Sequence, residues 1–200
     1  MDLRGSVSLC EVTTLTAPIT ELPPTFRPLR REEYVKLYEL GVFGEARVEL
    51  VGGVLIEMAP VKPPHAWAVL RLTKTLVLQA GDRYWVSCQG PIELDPISQP
   101  LPDFMVLPPE DYSESNPAKA LMIIEVAESS LRFDLGEKAR RYAMVGTPLY
   151  WVVDVINRVV HVHTDPHKDG SWGSIRPVQD GELDAEDLGL TVDVTDLLDF

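Results

Sequence analysis

Hydrophobic side chains recur at helical spacing in three segments of the chain. In residues 29–41 they lie three and four positions apart, acidic residues come early and a glycine ends the run, which predicts a short amphipathic helix. The same spacing predicts a second helix of about four turns over 65–81, with His65 at its N-terminus. A third helix is predicted over 134–145, because a D-x-x-E capping signal opens it and a glycine and a proline end it.

Strand-like runs alternate with these helices. ARVELV and VLIEMA flank Gly52 and Gly53, which is a signal for a β-hairpin, and LYWVVD and RVVHVHT predict a second hairpin around a turn at 156–157. LMIIEVA, residues 121–127, is the most apolar run and predicts a central strand that is covered on both faces. Shorter strands are predicted in RYWVSCQ, PIEL and DFMVL and near 174–178 and 190–194, with turns at 180–181 and 196–199.

The order of these elements predicts the fold class and the extent of the domain. Helix, hairpin, helix, strands, helix and hairpin in succession indicate an α+β or mixed α/β domain, in which helices flank a sheet. Residues 1–24 mix threonine, proline and serine with isolated apolar residues and show neither period, so we expect a flexible N-terminal arm there. The remaining residues, 25–200, are long enough for a single domain with a sizeable core.

Composition and charge narrow the setting of the protein. Cys10 and Cys88 are too few for a disulfide framework and form no metal-binding cluster, which favours a reducing cytoplasm. No basic and then apolar leader opens the chain, and no apolar run approaches the roughly 18 residues of a membrane span, so we expect neither export nor membrane insertion. The net charge of −13 argues against tight binding to nucleic acid, although RLTKTL, KARRY and carboxylate-bound metal ions could offset it locally.

Three ionisable side chains lie in or beside the apolar runs between 102 and 138. Asp103 opens DFMVL, Glu125 interrupts LMIIEVA, and Lys138 falls in the first turn of the predicted third helix. Two carboxylates and an ammonium on neighbouring rigid elements can hold a divalent cation beside a phosphodiester and stabilise the charge that develops during its hydrolysis. Each residue also has a structural interpretation: Asp103 can cap a turn, Glu125 can form a core salt bridge with Lys138 or an arginine, and Lys138 can be a solvated helix residue.

Other polar residues are weaker candidates for contacts to a substrate or around a metal. Glu49 and Glu57 are carboxylates inside the first hairpin, and His65 can either cap its helix or reach a site. Tyr142 follows Lys138 by one turn and is expected to pack rather than to react. His161 and His163 share one strand face and could chelate a metal. Because no third ligand is apparent, we expect them to face solvent instead.

Five blocks of the sequence, taken in order, resemble the Uma-type restriction endonuclease family, which belongs to the PD-(D/E)XK nuclease superfamily. The blocks are RREEYVKL, RVELVGGVLIEMAP followed by PPH, LPDFMVL, LMIIEVAESSLRFDLGEKARRYAMVGTPLYWVVDV and LGLTVDVTDLL. The resemblance spans 29–200, and EVAESSLRFDLGEKARRYAMVGTPLYWVVD is its most specific part. It implies a restriction-endonuclease-like fold, a mixed sheet between helices, with a Mg²⁺ or Mn²⁺ site at the strand ends.

The resemblance also implies roles for individual residues. Asp103 corresponds to the family's PD aspartate, Glu125 to its second acidic ligand, and Glu49 to an upstream glutamate that completes the metal shell. Ala127 stands where the superfamily has a lysine, and Lys138 matches the helix position that carries the lysine in the nearest relatives. The implied reaction is metal-assisted hydrolysis of DNA phosphodiesters, in which the metal lowers the pKa of a bound water and Lys138 orients that water or stabilises the pentavalent phosphorus.

Other functions stay open at this stage. The fold could persist as a catalytically inactive module that binds protein or nucleic acid, and the acidic composition agrees with weak DNA binding. The protein could also be a nuclease for short, nicked or single-stranded nucleic acid that a partner presents. A homodimer would suit cleavage of both DNA strands, but the sequence shows no interface.

Overall fold

The computed structural model of the protein describes residues 26–200, except for the side chain of Glu186, so the predicted arm at 1–24 lies outside the described residues. The helices are α1 (Arg31–Glu39), α2 (Pro63–Ala80), α3 (131–144, made of Leu131–Phe133, a π-helical turn Asp134–Lys138 and Ala139–Met144) and α4 (Val194–Leu197). The strands are β1 (Val48–Val51), β2 (Val54–Glu57), β3 (Trp85–Cys88), β4 (Phe104–Leu107), β5 (Met122–Ala127), β6 (Leu149–Asp154), β7 (Val159–Pro166), β8 (Trp172–Val178), β9 (Glu182–Asp184) and β10 (Thr191–Asp193). Within residues 26–200, no helix is long and apolar enough to cross a membrane.

A six-stranded mixed sheet forms the centre of the fold, in the order β3-β4-β5-β6-β7-β8. β5 and β6 run parallel, and the other neighbouring pairs are antiparallel. Every residue of β5 and β6 is buried. The predicted central position of LMIIEVA is therefore confirmed, as is the α+β class.

Helices cover both faces of the sheet. Successive side chains of a strand point to opposite faces, and in the buried strand β5 both faces carry apolar side chains. On one face, Ile124 of β5 packs in a core that includes Leu72 of α2. On the other face, Ile123 packs in a core that includes Tyr142 of α3. Glu125 follows Ile124 in β5, so its side chain points towards α3.

The hairpin β1–β2 is confirmed, and its two glycines explain its position. Gly52 and Gly53 have φ of 63° and 77°, which a tight hairpin turn requires and which glycine adopts without strain. A Cβ added to Gly53 would collide with the side chain of Pro28. The amide of Leu29 donates to the Gly53 carbonyl at 3.0 Å, and the amide of Gly53 donates to the Ile97 carbonyl at 2.7 Å. The turn is thus held between the segment before α1 and the loop that follows β3.

One predicted strand is absent from the described residues, and one observed strand was not predicted. PIEL is a loop, in which the amide of Glu93 donates to the carbonyl of Pro117 at 2.9 Å. Prolines at 91, 96 and 100 leave this stretch without the N–H groups that a strand ladder needs. The predicted turn at 196–199 follows from the end of α4 and is closed by the amide of Asp199, which donates to the Asp196 carbonyl at 3.3 Å; Asp193 caps α4 by accepting a hydrogen bond from the amide of Asp196. Strand β9 was not predicted.

The third helix begins earlier than its capping signal indicates. Leu131 is its first residue, so Asp134 lies inside the helix and is buried instead of capping its end. The π-helical turn is closed by the amide of Ala139, which donates to the Asp134 carbonyl. Lys138 consequently lies in the middle of α3 and not in its first turn.

His163 is buried, contrary to the expectation that it faces solvent. Only 1% of its surface is exposed, and its ring centroid lies 5.2 Å from that of Tyr150 and 5.5 Å from that of Trp172. Burial lowers the pKa of His163, which favours a neutral imidazole in this aromatic cluster. Trp172 belongs to β8, which is longer than predicted and pairs with β7, the strand that carries His163.

Candidate functional site

Asp103 stands where the pairing between β4 and β5 ends. The register pairs Phe104 with Ile124, and β5 continues beyond that pair as far as Ala127. In place of a further strand residue, Oδ2 of Asp103 accepts a hydrogen bond from the amide of Val126 at 2.8 Å. The same register brings Asp103 beside Glu125.

His65 lies in the first turn of α2 and contacts Asp103. Its Nε2 is 3.3 Å from Oδ2 of Asp103, and Gln89 donates to Oδ1 at 3.3 Å. Burial opposes the charge of Asp103, but the hydrogen bond and charge of His65, with the Val126 amide, outweigh it and lower the pKa of Asp103. Burial likewise opposes the imidazolium, yet Asp103 raises the pKa of His65. The Nδ1 of His65 is buried and finds no hydrogen-bond partner among the described residues.

Glu125 is 3% exposed and makes its contacts with α3. Its Oε1 accepts hydrogen bonds from Nζ of Lys138 at 3.0 Å and from the hydroxyl of Tyr142 at 2.8 Å. The two donors are four residues apart and share one face of the helix. Burial raises the pKa of Glu125 well above its ordinary value, and the nearby ammonium offsets this only in part.

The ammonium of Lys138 lies among three carboxylates. Nζ is 3.0 Å from Oε1 of Glu49, 3.0 Å from Oε1 of Glu125 and 3.8 Å from Oδ1 of Asp134. Although burial opposes its charge, these carboxylates raise the pKa of Lys138 well above its ordinary value. The lysine therefore remains protonated in the interior.

Asp134 is a functional candidate that the sequence reasoning missed. It is 2% exposed, and its Oδ2 accepts a hydrogen bond from Oγ of Ser130 at 2.5 Å. Burial raises the pKa of Asp134 to about 6, against the lowering effects of Lys138 and Ser130. The signal that could have revealed it is the spacing to Lys138, because opposite charges four residues apart on a helix lie on the same face.

A network of contacts fixes the position of Glu49 relative to α3. Oε2 of Glu49 accepts a hydrogen bond from the amide of Leu101 at 2.9 Å. Arg141 of α3 donates to Oγ of Ser98 at 2.9 Å and to Oδ2 of Asp95 at 3.1 Å. Since Leu101, Ser98 and Asp95 belong to one loop, that loop joins the first hairpin to α3.

The remaining predicted residues divide into two groups. Glu57 is exposed at the end of β2, opposite Val48, and takes no part in the cluster around Lys138. Tyr142 is buried, and burial raises its pKa well above its ordinary value, so it donates to Glu125 as a neutral phenol. The predicted residues that the fold brings together are Glu49, His65, Asp103, Glu125, Lys138 and Tyr142.

The donor set and charge of this cluster fit a hard divalent cation. Its four buried carboxylates, one of them Asp134, outnumber its one ammonium, and buried negative charge without compensation is unfavourable. Within residues 26–200, no three histidine, cysteine, aspartate or glutamate side chains form a ready-made metal site. Mg²⁺, however, is commonly held by one or two carboxylates together with water and substrate phosphate. Oε2 of Glu125 accepts no hydrogen bond from the described residues, whereas both oxygens of Asp103 already have partners in Gln89, His65 and the Val126 amide.

Comparisons with known proteins show which family and which solved structure the chain resembles. Residues 31–196 match the Uma2 family, whose description is "Putative restriction endonuclease". Among solved structures, the chain is similar to "a putative nuclease belonging to DUF820 from Anabaena variabilis ATCC 29413", with a TM-score of 0.70 and 14% sequence identity over 86% of this chain and 98% of that chain. At this identity the likeness shows the fold. The search of curated proteins returned no match.

Proposed function

The chain belongs to the Uma2 family, and on that basis we propose that it is a metal-dependent endonuclease that hydrolyses phosphodiester bonds of DNA. The observation that carries the proposal is the buried cluster in which Asp103 lies beside Glu125 and Lys138 contacts Glu125. Burying several carboxylates around one ammonium gains little stability, because the desolvation penalty consumes most of the attraction. A catalytic role accounts for a cluster that folding alone does not favour.

Each residue of the cluster has a defined task in this proposal. Asp103 and Glu125 would hold one or two Mg²⁺ or Mn²⁺ ions, and Glu49 would complete the shell from β1. When bound, such an ion activates water and neutralises charge on the phosphate. Lys138 directs an N–H towards the phosphate oxygen that gains negative charge. Tyr142 holds Oε1 of Glu125 through its hydroxyl, which leaves Oε2 for a ligand.

The surroundings of the cluster suggest how substrate is contacted. His65 lies in the first turn of α2 with Nε2 beside Asp103 and Nδ1 without a partner among the described residues, so this ring is the candidate to hold Asp103 in place when substrate binds. The net charge of −13 predicts weak general affinity for DNA, so activity should be sought at low ionic strength. If two copies act together, linear plasmid should appear early, whereas a single copy should first accumulate nicked circles.

Paired measurements of metal binding and cleavage test the proposal. Wild type, Asp103→Asn and Glu125→Gln would be titrated calorimetrically with Mn²⁺ and Mg²⁺ and incubated with plasmid and with single-stranded DNA. We expect wild type to bind metal and cut DNA, and both folded variants to lose the two properties together. Glu57→Gln is the matched control, since it removes an exposed carboxylate outside the cluster, and it should behave as wild type.

The opposite result would assign the fold a different task. If wild type binds no metal above background and cuts neither substrate, while the variants are as stable as wild type or more so, the carboxylates are structural. The chain would then be a non-catalytic module that binds protein or nucleic acid.

A further inference from the structure

The ammonium of Lys138 and a bound cation need the same carboxylates. Oε1 of Glu125 and Oε1 of Glu49 each lie 3.0 Å from Nζ. A carboxylate that turns its charge towards a divalent cation attracts the ammonium less, and the two cations repel one another at such distances. Lys138 can stay in the cluster in that state only if another counter-ion holds it.

Asp134 has the position that this counter-ion requires. Its Oδ1 lies 3.8 Å from Nζ of Lys138, which is within ion-pair range but longer than a hydrogen bond. Both residues belong to the π-helical turn of α3, so their separation does not depend on how β1 or β5 is placed. A small shift of the ammonium away from Glu125 would convert this contact into a hydrogen bond.

The contacts of Asp134 keep it turned towards the lysine. Ser130 donates to Oδ2 at 2.5 Å, which leaves Oδ1 for Lys138. The hydroxyl of Tyr150 donates to the Asp134 carbonyl at 2.9 Å, and the amide of Ala139 donates to the same oxygen. Ser130 thus holds the carboxylate, while Tyr150 and Ala139 hold the backbone of the same residue, and this buried carboxylate accepts no hydrogen bond from a strand amide of the described residues.

We propose that Asp134 is a positioning residue that retains the Lys138 ammonium in the cluster while Glu49 and Glu125 bind the cation. The inference rests on the proposed function, because it requires a cation held by Asp103 and Glu125 with Glu49 completing its shell. It predicts that loss of Asp134 impairs the step that uses the lysine and leaves binding of the metal intact.

The decisive measurement observes the lysine directly. In protein labelled with ¹⁵N at lysine Nζ, a buried ammonium exchanges slowly and gives a resolved NMR signal, which its absence in Lys138→Met would assign. With saturating Mg²⁺, wild type should keep this signal and Asp134→Asn should lose it. Asp154→Asn is the matched control, because Asp154 is also 2% exposed but bonds to the amides of Ile156 and Asn157 in a turn.

Turnover gives the second readout. Asp134→Asn should lower kcat for DNA cleavage by about 10- to 100-fold, as loss of an outer hydrogen-bonding partner commonly does, while calorimetric affinity for Mg²⁺ and KM stay close to wild type. Should this variant fail to fold, Ser130→Ala provides the same comparison, since it frees Oδ2 of Asp134 and should cause a smaller change in the same direction.

The outcomes separate the two proposals. If wild type binds Mg²⁺ and cuts DNA but Asp134→Asn keeps both the Lys138 signal and the rate, the positioning role is wrong and the nuclease stands. If Mg²⁺ affinity falls as far as kcat, Asp134 acts on the metal and the positioning role is again wrong. If wild type binds no Mg²⁺ at all, both proposals are overturned.

Discussion

Lys138→Met tests whether the ammonium stabilises the carboxylate cluster. Methionine has a similar length and no charge, so the change removes the cation without opening a large cavity. In wild type, Nζ lies 3.0 Å from two carboxylates and 3.8 Å from a third, and the side chain is 5% exposed. In wild type, the attraction between the ammonium and each carboxylate, several kcal/mol per pair, is largely cancelled by the cost of desolvating both groups. In Lys138→Met, the buried carboxylates keep their desolvation cost and lose the attraction. We therefore expect a loss of about 3–5 kcal/mol in the free energy of unfolding at pH 7.

Urea denaturation followed by tryptophan fluorescence would measure this loss at several pH values. Without the ammonium, the folded-state pKa of Glu125 rises further above its unfolded value. The contribution of a group with a raised pKa is present below its unfolded pKa and is lost as pH rises through its folded pKa. The gap between Lys138→Met and wild type should therefore shrink as pH falls from 7 to 5.

A double variant sharpens the test. Adding Glu125→Gln to Lys138→Met should restore about 1–3 kcal/mol of the lost stability, because the second change removes one stranded charge. If Lys138→Met is as stable as wild type at pH 7, or if the difference in stability between them is the same at pH 5, the attraction between the ammonium and the carboxylates does not stabilise the cluster.

Three further predictions concern single contacts. The folded-state pKa of Asp134 is about 6 against an ordinary 3.8, so this group lowers the stability of wild type as pH rises between those values. In urea titrations, the free energy of unfolding of Asp134→Asn should therefore grow relative to wild type by about 1.4 kcal/mol from pH 5 to pH 8. A difference that stays constant with pH would exclude burial of Asp134 as the cause. Tyr142→Phe removes a donor to Glu125 and should lower the free energy of unfolding by about 1–3 kcal/mol in the same assay, and an unchanged value would mean that this bond contributes nothing. Gly53→Ala should lower Tm in calorimetry, because its φ is 77° and the space beside it is filled, whereas Gly136→Ala, with open space, should not; equal Tm values would refute the steric argument.

Elements with a strong local signal could be predicted from the sequence. Gly52 and Gly53 between two apolar runs suffice for a hairpin, and the uninterrupted apolar run of 121–127 suffices for a buried central strand. PIEL misled because its apolar residues resemble a strand, while its flanking prolines take away ladder donors. His163 misled because its burial depends on Trp172, which a later strand brings to it.

The candidate site likewise contains residues that the sequence indicated and one that it did not. The resemblance to a family named Asp103, Glu125 and Lys138 as candidates, and the alternative interpretation of Glu125 as a core salt bridge with Lys138 describes the observed contact equally well. Asp134 was missed because its D-x-x-E context also fits a helix start, and only the earlier beginning of α3 at Leu131 turns it inwards. A local pattern does not reveal which turn of a helix faces a sheet.

The bond between Asp103 and the Val126 amide bears on how loss of the proposed activity could be recognised in related chains. Asp103 completes the hydrogen bonding of a strand end, so a descendant that had abandoned catalysis would still be selected to keep it. Glu125 has no backbone partner among the described residues, so no strand hydrogen bond favours keeping it, and exchanging it together with Lys138 would cost less stability than exchanging Lys138 alone. After loss of activity, Glu125 and Lys138 should therefore be substituted together, and Asp103 should be retained. In related chains, Asp103 alone is therefore weak evidence of activity, whereas Glu125 and Lys138 together are stronger evidence.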